Sequence, residues 1–167
     1  MAALEYLHIA DPEPHVARGR QILAAHPELR QLAGPMPRSA FWTVLLVTVQ
    51  LGMAWLVGRQ PWYIWLPCAY IVGATIDHAL WVLIHECSHN LVFRARLGNR
   101  VTALVANIPI LVPAAMPFCK YHLLHHRFMG DLDLDADIPG PVEARVVGHS
   151  AVRKTVWVAL LGLLQGS

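Results

Sequence analysis

Apolar and polar positions fall into long blocks along this chain. Residues 1–39 are polar, with no apolar run long enough for a signal peptide. Asp11-Pro12-Glu13-Pro14 puts prolines and acids where a helix begins, and predicts a helix over about 15–25. Ile22, Leu23, Leu29 and Leu32 give that helix and its continuation an apolar side, while Arg18, Arg20, Arg30 and Arg38 keep the segment basic. Residues 40–57 are uncharged and apolar, just long enough to span a bilayer core of about 30 Å. Gly58-Arg59-Gln60-Pro61 has the composition of a tight turn, and 62–84 is a second apolar run. Trp42, Trp55, Trp62 and Trp65 lie at the expected membrane interfaces. Residues 40–84 therefore predict a transmembrane helical hairpin. Residues 101–117 are apolar again but short, and Pro109, Pro113 and Pro117 break them. A third run begins at 155, is too short to cross a bilayer, and is cut by the end of the chain at Ser167, as in a truncated protein.

Composition supports the membrane reading. The chain is 56% hydrophobic and 14% charged, with a mean hydropathy of +0.43, where about 25% charged is usual for soluble domains. A net charge of +2 is too small to argue for nucleic acid. Of 13 Lys and Arg residues only Arg59 lies between the two spans, so the positive-inside rule puts both chain ends in the cytosol. Cys68, Cys87 and Cys119 form no C-x-x-C pair and read as reduced thiols. Ala2 stands where myristoylation needs Gly.

The chemistry lies in two short runs that hold five of the ten histidines. His85 and His89 are spaced i, i+4; His122, His125 and His126 are spaced i, i+3, i+4. On helices each run shares one face, and neutral imidazole is the commonest metal ligand. Two such faces turned together predict a metal site. The helix that crosses from residue 62 reaches the cytosolic surface near His85, within reach of a lipid tail. A single crossing by 101–117 would put the second run on the opposite side of the membrane. Two crossings do not fit, so a re-entrant or interfacial segment is expected. Asp77 and His78 lie inside the second span, where ionisable groups are costly and usually functional. With Glu86 and Asn90 they are candidates to support the ligands or line a substrate tunnel; His78 could also be a further ligand, and a polar contact between helices is its plainer reading. Cys87 is a minor candidate for a thiolate ligand. No catalytic residue beyond the metal ligands is identified.

His85-Glu86-Cys87-Ser88-His89 also fits the zinc-protease pattern H-E-x-x-H, with Glu86 as general base. A catalytic zinc takes three protein ligands and a water, so five clustered histidines exceed its need. The alternating aspartates 131–137 resemble a calcium loop, but Ala136 replaces the required Gly and Val142 the required Glu. A solvated acidic loop with one Asp bonded to a ligand histidine fits better. Spacing leaves Zn, Cu, Fe and Ni all open as the metal.

His85-Glu86-Cys87-Ser88-His89-Asn90 and Tyr121-His122-Leu123-Leu124-His125-His126-Arg127 resemble the first two histidine boxes of membrane lipid desaturases. Asp11-Pro12-Glu13-Pro14-His15, Ile22-Leu23-Ala24-Ala25-His26-Pro27-Glu28 and Asp133-Leu134-Asp135-Ala136-Asp137-Ile138-Pro139 are similar to the sphingolipid delta-4 (dihydroceramide) desaturases. The resemblance implies an all-α multi-pass membrane enzyme with cytosolic histidine-box helices. Its host membrane would be the endoplasmic reticulum in a eukaryote, or the inner membrane in a bacterium. It implies two iron ions held by His85, His89, His122, His125 and His126 among others, O2 as co-substrate, and electrons from NADH through cytochrome b5. The substrate would be dihydroceramide, desaturated between C4 and C5; some relatives hydroxylate C4 instead. Residues 1–39 would be a cytosolic arm and 40–167 the N-terminal part of the desaturase domain. The family's third box, H-x-x-H-H, does not occur in these residues, so this polypeptide alone is expected to hold iron poorly and to be inactive. The remaining alternative is an inactive remnant.

Overall fold

The computed structural model describes residues 14–131, 133–135 and 137–164. The predicted helix start at 11–13 and the Leu132 and Ala136 positions of the acidic loop lie outside the described residues. The described secondary structure is helical, with no strand among those residues. Two compact units emerge, one over 35–138 and one made from 14–34 with 139–164.

In the larger unit, α2 (Arg38–Val57) follows Pro35 and Pro37 and stops at Gly58. A second helix then runs 27 residues from Trp62 to Ser88. It consists of α3 (Trp62–Cys68), one π turn (Ala69–Gly73) and α4 (Ala74–Ser88). Pro67 accounts for the π turn: it has no N–H to donate and its ring crowds the preceding turn, so the ladder widens just beyond it. These two helices are the ones, among the described residues, long and apolar enough to cross a membrane. Their outward sides are apolar and exposed, as at Trp55, Trp62 and Tyr70. Gln50 joins them, its Nε2 donating to Asp77 Oδ1 at 3.3 Å and to the Gly73 carbonyl at 3.4 Å.

Ile76, Leu80, Ile84 and Cys87 form the inward stripe of α4, spaced one turn apart, and Leu80 and Ile84 are fully buried. They meet small residues, Ala103 and Ala106 on α5 (Arg96–Ala106) and Ala115 on α6 (Ala115–Arg127). Small side chains there let the helices approach closely.

Two asparagines shape the connections. Asn99 Oδ1 accepts from the Val92 and Phe93 amides, both at 3.1 Å, and its Nδ2 donates to the Phe93 and Ala95 carbonyls at 2.6 and 3.0 Å. Asn107 Nδ2 donates to the Ile110 and Val112 carbonyls at 3.1 and 2.8 Å, and its Oδ1 accepts from Ala115 N at 2.6 Å. That clamp reverses the chain between α5 and α6. The 11 residues of α5 rise only about 16 Å, short of a bilayer core of about 30 Å.

In the smaller unit, α1 (Pro14–Ala25) leads into a 3-10 turn (Pro27–Gln31), where His26 Nδ1 lies 3.1 Å from Glu28 Oε1. Further along, α7 (Pro141–Val147) and α8 (Ala151–Leu164) pack as a pair, and Trp157 Nε1 donates to Glu143 Oε1 at 2.7 Å.

Candidate metal centre

Both histidine runs stand at helix C-termini. His85 lies in the last turn of α4 and His89 is its C-cap; His122, His125 and His126 occupy the last turns of α6. The end of α4 is fixed by Asn90, which takes the left-handed conformation at φ 58°. Asn90 N donates to the Cys87 carbonyl and Leu91 N to the Glu86 carbonyl, both at 3.0 Å. This is a Schellman closure, and it satisfies carbonyls a helix end otherwise leaves open. Asn90 thus holds His89 by terminating the backbone.

Four of the five imidazoles converge. The candidate ligand atoms of His85, His89, His122 and His126 all lie within 4.8 Å of one another. Ring centroids are 4.5 Å apart for His85–His122 and His122–His126, and 4.9 Å for His89–His122 and His89–His126. His122 is the hub, its Nε2 lying 2.9 Å from His89 Nε2 and 3.1 Å from His126 Nε2. Nitrogens bound to one ion at about 2.1 Å sit about 3.0 Å apart when they occupy adjacent octahedral positions. The spacing observed here therefore suits a common cation, and the donor set fits a metal.

The protonation balance agrees. Burial, then the neighbouring His85, His126 and His89, push His122 down to about 4. Burial, then His85 and His126, lower His89. Neutral imidazole is the form that binds metal.

His125 faces elsewhere. Its Nδ1 is 2.7 Å from Asp135 Oδ1 and 3.6 Å from Asp137 Oδ2, and these three residues form a second potential ligand group. The hydrogen bond that His125 donates to Asp135 raises the His125 pKa. Burial alone would raise Asp135, but the Gly130 and Asp137 amides and His125 outweigh it and hold the carboxyl low. Gly130 N donates to Oδ2 and Asp137 N to Oδ1, both at 2.9 Å. Asp131 Oδ1 accepts from the Asp133 and Leu134 amides at 2.9 and 3.2 Å. The acidic loop is thus wound around its own carboxylates and aims one of them at a box histidine.

The other candidates are spread out. Glu86 Oε1 stands 3.6 Å from His85 Nδ1. Asp77 is bonded to Gln50. His78 is exposed on α4 and outside the imidazole cluster, and Cys87 is buried in the apolar core. Two aromatics escaped the sequence reading. Phe118 stacks on His122 with centroids 4.9 Å apart and planes 11° from parallel, and Trp81 meets Phe118 edge-on at 5.2 Å. The signal was present: Trp81 and Phe118 each stand four residues before the first histidine of a run.

Comparison with known proteins identifies the family. The family profile "Fatty acid desaturase" matches residues 60–166, and "Sphingolipid Delta4-desaturase (DES)" matches residues 3–38. A sphingolipid delta(4)-desaturase of Candida albicans is 45% identical over 80% of this chain and 36% of its own length. A sphingolipid delta(4)-desaturase DES1-like protein of Arabidopsis thaliana is 43% identical over 89% of this chain and 44% of its own length. The human sphingolipid delta(4)-desaturase/C4-monooxygenase DES2 is 39% identical over 89% of this chain and 46% of its own length. The chain spans less than half the length of these relatives. No solved structure matches it.

Proposed function

The chain belongs to the fatty acid desaturase family, and on that footing we propose that it supplies the first two histidine boxes of a membrane sphingolipid delta-4 desaturase. The observation that carries this reading is the meeting of four imidazoles from two separate helices. His85, His89, His122 and His126 would hold iron through their ring nitrogens. His125, with Nδ1 tied to Asp135, would offer Nε2 as the fifth ligand. A bound iron pair would supply the capacity to reduce O2 and to take hydrogen from an unactivated C–H bond.

The net change is removal of one hydrogen each from C4 and C5 of dihydroceramide. O2 takes up these two hydrogens with two electrons and two protons and leaves as two waters. The electrons come from NADH through cytochrome b5.

The chain's own residues position that chemistry. The 27-residue helix Trp62–Ser88 is about 40 Å long against a hydrocarbon core of about 30 Å. Its last turns then stand above the lipid on the cytosolic side of a multi-pass protein. Trp81 and Phe118 sit one turn below the imidazoles, between them and the apolar layer, where they exclude water and face an incoming chain. Residues 1–39 serve as a cytosolic arm and 40–167 as the N-terminal part of the desaturase domain. The host membrane is the endoplasmic reticulum in a eukaryote, or the inner membrane in a bacterium.

The test is lipid analysis of membranes that carry the protein at its relatives' length, supplied with dihydroceramide and electron donor. A C4–C5 trans double bond is expected, and its loss in H122A. A 4-hydroxylated product would favour the monooxygenase outcome, and unchanged lipid would overturn the reading.

A further inference from the structure

A concentration of positive charge lies beside the imidazoles, outside their cluster. Arg96, Arg100 and Lys120 line a cavity of about 430 Å³ with Cys87, Met116 and Cys119. No carboxylate lines the cavity, and among the described residues no ion pair engages its three cations. The nearby carboxylate of Glu86 is turned to His85.

This charge accumulates where local energetics oppose it. Arg96 is the first residue of α5 and Arg100 lies one turn on, with no acid in the first turn. Cations are disfavoured at the positive end of a helix, and like charges at i, i+4 repel each other. An anion seated between them would relieve both. Positive-inside topology asks only for basic residues in the loop; it does not ask that two helices converge them on one cavity.

We propose that this cavity binds the phosphate of a membrane lipid headgroup. Arginine forks match phosphate oxygens in pairs, and lysine adds a compact point charge. Cys87 belongs to the last turn of the 27-residue apolar helix, so the cavity opens at headgroup level on the membrane placement proposed above, on which the inference rests. Basic pockets at the cytosolic ends of membrane helices are suited to anionic headgroups. The apolar wall at Met116 takes the first carbons of the lipid.

The experiment is native mass spectrometry of the chain in neutral detergent with phosphatidic acid or phosphatidylcholine of equal acyl length. One phosphatidic acid per chain is expected, at a concentration at least about tenfold below that needed for phosphatidylcholine. The triple variant R96Q/R100Q/K120Q should lose that preference. The control R59Q/R145Q/K154Q, which removes equal charge elsewhere, should keep it. All three cavity cations are exposed; should the triple variant misfold, each single Gln variant is read instead, with about a fivefold loss expected. Absence of a phosphatidic acid preference, or an equal loss in the control, overturns the proposal. So does displacement by equimolar inorganic phosphate, which would identify a soluble anion as the ligand. Carbonate washing of membranes carrying the chain tells the failures apart: retention without lipid preference overturns the cavity alone, and release overturns the placement beneath it.

Discussion

Replacing Asp135 with Asn isolates the link between the acidic loop and the second histidine box. The carboxylate is buried and takes three hydrogen bonds: His125 Nδ1 at 2.7 Å, and the Asp137 and Gly130 amides at 2.9 Å. Asparagine has the same shape but one acceptor. If its oxygen stays with His125 and Asp137, its NH2 meets the Gly130 N–H, donor against donor. If it flips, the NH2 meets His125 Nδ1 instead. The loss of a charge-assisted bond is worth about 1.5–3 kcal/mol, and an open buried donor costs a similar amount. Relaxation of the loop recovers part of this, leaving a local destabilisation of about 2–4 kcal/mol. The carboxylate also fixes the proton on Nδ1 and leaves the Nε2 lone pair for a ligand. Loss of such an outer partner typically lowers metal affinity about 10–100-fold. The assay is competition for Fe(II) or Co(II) between the protein at its relatives' length and a chromophoric chelator, beside the His125 titration followed by side-chain deuterium exchange. D135N should lower both the His125 pKa and the metal affinity. D137N removes an exposed group 3.6 Å away and should change affinity less than about threefold. A lowered His125 pKa with wild-type metal affinity would show that the Asp135–His125 pair serves the loop alone, and would sink the ligand role of His125.

His122 contacts the other three imidazoles of the cluster, so in the protein at its relatives' length H122A should abolish metal retention measured by atomic emission, whereas H78A, at an exposed position outside the cluster, should not change it. The folded pKa of His122 lies near 4 and that of His89 is also lowered, against an ordinary 6.5. Between about pH 6.5 and 4 the unfolded chain therefore binds more protons than the metal-free fold, and chemical denaturation should show stability falling as pH drops through that window; a flat profile would contradict the shifts. N99A strips partners from the Val92 and Phe93 amides and should cost about 2–4 kcal/mol by the same measurement, with N99D no milder, because its second carboxylate oxygen would face the Phe93 and Ala95 carbonyls with no hydrogen to donate.

What could be read from the chain followed from length and periodicity. Lipid-facing helices need long uncharged runs, so Arg38–Val57 and Trp62–Ser88 were visible within a few residues of their ends. Spacing of i, i+4 put His85 with His89 and His122 with His126. The same argument went too far for His125. At 3.6 residues per turn, i+3 and i+4 lie about 60° to one side and about 40° to the other. His125 and His126 are therefore about 100° apart, and His125 is the one whose Nδ1 turns to Asp135. The π turn had its cause in plain view at Pro67, but a proline in an apolar run does not say whether a helix breaks, kinks or widens. Asn99 and Asn107 were invisible because their partners are backbone groups, whose positions exist only once the chain has folded.

The placement of both boxes at helix C-termini explains why a cation is favoured there while protons are not. Each helix end carries about half a negative charge on its open carbonyls, and a cation beside it gains about 0.3–1 kcal/mol. Ends of α4 and α6 meet at the cluster, so this field alone would raise the imidazole pKa values. Yet His89 and His122 are lowered, because burial and the neighbouring rings outweigh it. Separate protons on rings 4.5–4.9 Å apart repel one another. Multivalent metal ions held by the same nitrogens would place their charge in the helix-end field without a proton on each ring, since each ring supplies a lone pair. The arrangement thus disfavours stepwise protonation more than it disfavours multivalent metal ions, and it does so because the Asn107 turn brings α6 back with its C-terminus beside that of α4. Lengthening that turn should therefore weaken metal binding with every histidine still in place.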